Sequence, residues 1–550
     1  MRRRRRPAED CLSRGHHRER GHGHRLHRRA RGNHPFRIAP YKCPGSHPCL
    51  TQGCEPSLIP GASTVGHAQV LAIDCGTQSV RCLLFDPITG SHTVGASEKL
   101  TLKVKGPQQI EIDPLELVAA TVRVLRATIA GCDETPLCVG ITNMRESAIA
   151  WSRDTGLPVH DGIMWMSQQS QNIVARWDNE GLAPLIRKKT GLSNHTFFFG
   201  SKIAWLLDAR PDLAAMARSG KLAVGTIDSW LLYSLTGGAV HATDASNASR
   251  YQLLNLTSLD WDEQLPEALG IPRATLPEIR ATSSHFGFTD PERTGYRIPI
   301  TGMIGDQQAS LLGHGCDLPG EAKATFGTSC VISSNLGHTP STAEGLVTSV
   351  AWSTPGAGAV YEMEGSAFHC GYTMSWLSRV LSPADHPDSE PGRSQLPARR
   401  RVYLVPSFTE LGAPRWPKGT GAIISGLLMD SGPSDIVRAG LESMAFQAFD
   451  LINALPGPQP AKPLSVDGGG AGSNYLCQLL ADLTSKTIIR PPSRELTALG
   501  AARTALKTLG DDLNAASTST RVPDYFEPSD QSYAMEGFRH WKELITRNLD

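Results

Sequence analysis

The sequence predicts an α/β protein of two large domains. Three observations carry that reading. The chain has 550 residues, too many for one hydrophobic core. Short apolar, β-prone runs alternate with segments of helical spacing. Two distant stretches, IDCGTQSVRCLLF (Ile73 to Phe85) and ATFGTSCVISSNL (Ala324 to Leu336), share one pattern. Each passes from an apolar run through Gly-Thr and a nearby serine into another apolar run. A hairpin tip of this kind offers unpaired backbone N–H groups and hydroxyls to an anion, and glycine lets the backbone approach closely. Two such tips imply duplicated halves, and Asp306 lies just upstream of the second.

Taken in order, the first strand begins near Val70, and VRCLLFDPITG turns at Pro87 and Gly90. Leu, Val and Ala recur at helical spacing from Pro114 to Ala130. Leu137 to Met144 is a short buried strand running into Arg145 and Glu146. Gly200 to Leu207 and Gly225 to Leu235 predict helices with apolar faces. Ile298 to Ile304 is another buried strand, ending at Gly305-Asp306, and Gln307 to Leu312 predicts a helix. The second half repeats the theme with strand, tip and strand from Ala324 to Asn335. Pro383 to Arg401 is rich in Pro, Ser, Asp and Arg and predicts an exposed loop. VYLVPSF and AIISGL are strands, Ile436 to Leu455 a helix. Leu464 to Asn474 predicts strand, glycine-rich turn and helix. The expected cleft falls near residues 312–320. Expected divisions are a disordered basic extension over 1–66, an N-terminal domain over 67–315 and a C-terminal domain over 316–550.

Charge separates the extension from the rest. Residues 1–66 carry 14 Lys/Arg against 4 Asp/Glu, within a chain whose net charge is only +1. The remainder is mildly acidic, which argues against nucleic acid as its partner. The extension lacks apolar periodicity and predicts disorder. No apolar h-region follows its arginines, so a secretory signal is not expected. Four of the 12 cysteines lie in the extension. The others are scattered without CxxC spacing, which predicts neither zinc nor disulfides and fits a reducing cytoplasm. No apolar run reaches membrane-spanning length.

The candidate chemistry follows from residue types. Asp74 and Arg81 flank the tip Gly76-Thr77-Gln78-Ser79. A carboxylate at a strand end can hold Mg²⁺ through water, and an arginine can meet phosphate oxygens with two N–H groups. No GxxxxGK[ST] loop occurs. Asp306 can accept a proton from a hydroxyl attacking a γ-phosphate and can also lie near Mg²⁺; it could equally cap the following helix. Gly468-Gly469-Gly470 precedes a helix and could lie against an adenine or take a phosphate. Arg145 and Glu146 could hold a polyol by donating to one hydroxyl and accepting from another, or form a structural ion pair. Trp165 could wall a carbon chain or pack in the core.

In this order, DCGTQSVR, GITNMRE, GTIDSWLLYSLTGG, TDASNASR, GDQQASLLGHG, KATFGTS, EGSAFHCG, ELGAPRW and VDGGGAGSN resemble the FGGY carbohydrate kinases over roughly residues 68–510. The wording is nearest to the glycerol kinase branch. The resemblance implies two RNase H-like domains of the actin and hexokinase type closing over ATP–Mg²⁺ and a sugar or polyol. It also implies specific roles. Asp74, Gly76, Thr77 and Arg81 match the first phosphate and metal loop, and Asp306 the catalytic base. Gly327 and Thr328 match the second phosphate loop; Gly468, Gly469 and Asn474 fall in the adenosine segment. Arg145, Glu146, Trp165 and Gln307 match acceptor contacts. Phe197 stands where the family has an acceptor-site tyrosine, Met144 where it has Gln, and Ser167 and Gln169 replace an acid and a base. The expected activity is ATP-dependent phosphorylation of a small sugar or polyol, with glycerol one alternative. A nucleotide-binding regulator or degenerate kinase is the alternative of another class, and a homo-oligomer is possible.

Overall fold

The computed structural model describes residues 69–549 except 107, 382–400, 410, 417–420, 457–461, 512 and 514–521. The predicted N-terminal extension and nearly all of the predicted Pro383–Arg401 loop lie outside these residues. The described residues belong to one compact unit, Thr64–Asp550.

Two mixed sheets organise this unit, and their pattern of strand pairing repeats. In the first, Val70–Cys75, Ser79–Phe85 and His92–Lys99 form an antiparallel meander. Cys138–Asn143 then pairs parallel to the first strand, and Pro299–Gly305 parallel to that. In the second sheet Ala322–Phe326, Cys330–Gly337 and Gly358–Ala367 form the antiparallel run. Leu464–Asp467 and Ile488–Arg490 extend it in parallel from Ala322–Phe326. The duplication predicted from two short motifs is therefore a duplication of sheet topology. Each motif is the turn between the first two strands of its sheet.

The first strand is buried on both faces, which explains its apolar run Val70 to Ile73. Leu71 and Ile73 share a core with Leu117, Val124, Leu125 and Ile129 of the helix Pro114–Ile129. That helix starts where the sequence signals it: Asp113 accepts from the Leu115 and Glu116 backbone N–H groups, and proline follows it. Val70 and Ala72, pointing the other way, pack with Ala498, Leu499, Ala501, Ala502 and Ala505. These belong to the helix Leu496–Lys507, from the far end of the chain. Close approach requires glycine there. A Cβ at Gly140 would lie 2.3 Å from the Ala501 carbonyl oxygen, and one at Gly500 would lie 1.9 Å from that of Ala309. The helix Asp306–Gly313 is thus pressed against Leu496–Lys507.

A buried carboxylate elsewhere gives the fold a pH dependence. Asp228 is fully buried and accepts from Thr243 Oγ1 at 2.6 Å, with Thr226 Oγ1 on its other oxygen. Burial, reinforced by Asp244, pushes its carboxyl up to about 7. Its folded pKa therefore exceeds the unfolded value near 3.8. The stability it contributes is full below that value and is lost as pH rises through about 7. Asp228→Asn is accordingly expected to be less stable than the parent at pH 5, with the gap in melting temperature closing or reversing by pH 8.5. A gap constant across that range, measured by thermal denaturation, would refute the assignment.

Candidate active site

Three parallel strands of the first sheet end in register, with Cys75 opposite Asn143 and Asn143 opposite Gly305. Their carboxyl ends deliver the tip Gly76-Thr77, the pair Arg145-Glu146 and Asp306-Gln307 to one edge. Ligand sites in such sheets form beyond the carboxyl ends of the strands. The second sheet does the same, since Thr325 lies opposite Asp467. That register places the Gly327-Thr328 tip beside the Gly468 turn.

A cavity of about 200 Å³ opens between these edges. Thr77, Arg145, Glu146, Trp165, Phe197, Asp306 and Gln307 line one side, and Gly327, Thr328, Ser366 and Phe368 the other. Trp165 donates from Nε1 to Thr77 Oγ1 at 3.0 Å, tying the aromatic wall to the first tip. Phe197 meets Trp165 edge to face, their rings 5.5 Å apart. Lys202 is buried and donates to the carbonyls of Thr196 (2.8 Å), Phe197 (2.6 Å) and Phe198 (3.1 Å), pinning the loop that carries Phe197. Met144 and Val331 add apolar lining. Ser167 is buried behind this wall, bonded to Gln108 and Gln169. The two exchanges of charged for neutral residues thus fall outside the cavity lining.

Asp306 begins its helix with Gly305, not itself, as N-cap. Its Oδ1 accepts the Gln307 backbone N–H at 2.7 Å, and Arg145 Nε lies 3.2 Å away. Burial pushes the carboxyl up to about 6, with Arg145 opposing and Glu146 and Glu364 assisting. The side chain is still 31% accessible toward the cavity. Water there moderates the rise, and a carboxylate poised at this value suits proton acceptance near neutrality.

Arg145 and Glu146 do not form the simple couple the sequence suggests. Their closest approach is 3.8 Å, and each has a nearer partner. Arg145 Nη2 meets Glu364 at 2.8 Å, and Arg250 Nε meets Glu146 at 2.5 Å. Arg250 also reaches Glu364 at 3.1 Å. Glu362 stands 3.8 Å from Arg145. This buried cluster joins arginines of the first half to glutamates on the strand Gly358–Ala367. Buried ions persist only when paired, because stripping water from them costs several kcal/mol each. Glu146 also holds a left-handed backbone, φ 60°, which aims it into the cluster.

The remaining predicted residues flank the cavity. Arg81 divides its guanidinium between Asp74 at 2.5 Å and Glu495 at 2.8 Å. A phosphate drawing on Arg81 would therefore share it with two carboxylates. Burial raises the Asp74 carboxyl, against the pull of Arg81. Gly76 N–H closes its tip on the Ser79 carbonyl at 3.0 Å, leaving Gln78 exposed. Gly468 adopts φ +85°, and a Cβ there would lie 2.5 Å from the Phe326 carbonyl oxygen. Gly469 and Gly470 open a short 3₁₀ turn, and Asn474 starts the helix Asn474–Thr484 while accepting from Arg490.

The second tip is held from behind. Gly371 and Tyr372, in the first turn of the helix Cys370–Val380, donate to the Gly327 and Thr328 carbonyls at 3.1 and 3.2 Å. A Cβ at Gly371 would lie 2.2 Å from the Gly327 oxygen. Gly371→Ala should displace the tip, raising the KM for ATP roughly ten-fold while the acceptor KM stays within two-fold. Unchanged ATP kinetics would show that this tip does not hold the nucleotide.

Comparison with known proteins decides the family. The profile described as "FGGY family of carbohydrate kinases, N-terminal domain" matches residues 69–313, and its C-terminal counterpart matches 322–509. The chain belongs to the FGGY family of carbohydrate kinases. A glycerol kinase of Halorhodospira halophila is 40% identical over 492 residues, 88% of this chain and 96% of that protein. Glycerol kinase of Citrifermentans bemidjiense is 37% identical over 488 residues, 87% and 98% of the two chains. Among solved structures, Plasmodium falciparum glycerol kinase with ADP superposes with TM-score 0.79 at 28% identity, covering 88% of this chain and 99% of that one. A xylulose kinase from Lactobacillus acidophilus gives 0.78 at 21% identity, covering 87% and 98%, which speaks to the fold alone.

The FGGY kinase fold accounts for both sheets, and membership makes the chain a phosphotransferase with an alcohol acceptor and ATP as its phosphoryl donor. Sequence reasoning missed Arg250, Glu362, Glu364 and Phe368. A signal for the glutamates was present: two acids spaced i, i+2 within an otherwise apolar strand (YEMEGSA) both face the interior. No helix among the described residues is long and apolar enough to cross a membrane.

Proposed function

We propose that this kinase phosphorylates a hydroxyl of glycerol, with residues 67–315 presenting the acceptor and 316–550 the nucleotide. The observation that carries the reading is the shared cavity, which brings Asp306 together with Thr77, Gly327 and Thr328 beside Arg145, Glu146 and Trp165. Arg145 and Glu146 offer a donor and an acceptor to adjacent hydroxyls, and Trp165, Phe197 and Phe368 face the carbon chain. The small volume suits a three-carbon polyol, and the relatives at 37–40% identity are named glycerol kinases.

In the reaction the acceptor oxygen attacks the γ-phosphorus, its proton passes to the Asp306 carboxylate, and ADP leaves. The N–H groups and hydroxyls of the two tips stabilise charge on the transferring group. Asp74 and Asp306 are hard oxygen donors at one sheet edge and fit Mg²⁺ held through water. When bound, the ion would neutralise phosphate charge. Gly468, Gly469, Gly470 and Asn474 would face the adenosine. Closing of the two halves over bound substrates would keep water from competing with the polyol.

The test is a coupled ADP-release assay across glycerol, erythritol, ribitol, xylulose and ribulose. Glycerol should give the highest kcat/KM. A five-carbon acceptor exceeding it ten-fold would reassign the acceptor and leave the phosphoryl chemistry intact. ADP release indifferent to every acceptor would favour the regulator reading instead.

A further inference from the structure

Lys323 is a charged side chain with no accessible surface, and the chemistry described so far gives it no task. It sits on the strand Ala322–Phe326, four residues before Gly327, and points the same way as Thr325. Its Nζ donates across the cleft to Gln307 Oε1, and within its own strand to Thr325 Oγ1 at 2.7 Å. Both Gln307 and Thr325 line the cavity. Burial lowers its pKa, and the acids around it, Asp467, Glu364 and Glu362, oppose that through space and favour the ammonium. Asp467 instead meets His314 at 3.1 Å and Ser310 at 3.3 Å.

A carboxamide can present either its oxygen or its NH₂ group to a ligand, and the two look alike to packing forces. A lysine has only donors. An ammonium placed on one end of Gln307 therefore selects the oxygen for itself and turns the NH₂ group away, toward the cavity. The same ammonium grips Thr325, two residues before the second phosphate tip. One buried cation thus links the acceptor side of the cleft to the nucleotide side.

We propose that Lys323 is a positioning residue: by holding Gln307 Oε1 it fixes the Gln307 NH₂ group as a hydrogen-bond donor to the acceptor polyol, in register with the second phosphate tip. This rests on the reading of Gln307 as an acceptor contact. It assigns the acceptor-binding step a determinant located on the opposite half of the molecule.

Steady-state kinetics on the full chain test it with four single variants and one double variant. Lys323→Met should raise the glycerol KM roughly ten-fold, the cost of one misplaced charged-network hydrogen bond, with the ATP KM within two-fold. Lys323→Arg should recover part of that loss. Gln307→Ala should raise the glycerol KM similarly, and the double variant should be no worse than the poorer single one. Gln307→Glu covers the case in which Lys323→Met does not fold. It keeps an oxygen for Lys323 and should hold the melting temperature, yet it removes the donor and should still lose glycerol affinity. Additive losses in the double variant, or a Lys323→Met effect confined to the ATP KM, would overturn the proposal. A Gln307→Ala enzyme with normal glycerol KM would instead overturn the reading of Gln307 on which it rests.

Discussion

Asp306→Asn should lower kcat by about two to four orders of magnitude, the usual contribution of a positioned general base. The amide is isosteric and can still accept the Gln307 N–H bond that holds the carboxylate at 2.7 Å. Arg145 keeps Glu364 at 2.8 Å, so the variant should fold. ADP affinity, measured by calorimetry, should be near that of the parent, because the second tip and the Gly468 turn are untouched. What is lost is the group that takes the hydroxyl proton as the oxygen attacks. Turnover within ten-fold of the parent would remove Asp306 from that role.

Arg145→Met should be the most damaging substitution for the fold and the site together. Arg145 is the shared cation for Glu364, Glu362 and Asp306. Its loss leaves Arg250 as their remaining ion-pair partner among the described residues, with Lys323 acting on Glu362 and Glu364 only through space, and breaking such a cluster costs about 3–5 kcal/mol. Protonating a carboxylate relieves that penalty, so the destabilisation measured by denaturant titration should be smaller at pH 5 than at pH 8. Acceptor affinity should fall as well, because the guanidinium lines the cavity. A variant as stable as the parent at pH 8 would show that the cluster does not depend on this cation.

What could be read from the sequence was what is local. The tips at Gly76 and Gly327 and the strand-ending Asp306 announce themselves within a dozen residues, because a turn that wraps an anion needs glycine and hydroxyls side by side. The two hairpins follow from the same segments, whereas the strands that extend them, His92–Lys99 and Gly358–Ala367, were not among the predicted elements. Contacts assembled by distant pairing were not legible. Glu364 reaches Arg145 only because the strand Gly358–Ala367 pairs with Cys330–Gly337 and crosses the cleft. Glu495 reaches Arg81 because it precedes a helix that packs on the other half's sheet. Arg145 and Glu146 were found, but adjacency in sequence suggested a couple where the fold builds a network. Ser167 and Gln169 looked like changes to the acceptor pocket, yet the turn after Trp165 carries them behind its wall.

The central claim is that the γ-phosphoryl group passes to a polyol hydroxyl held beside Asp306, and not to water. Phosphorus NMR of ATP, enzyme and glycerol measures this partition directly. A phosphomonoester signal growing in step with ADP, with little inorganic phosphate, is the predicted result. Inorganic phosphate accumulating at the same rate with and without glycerol would contradict it.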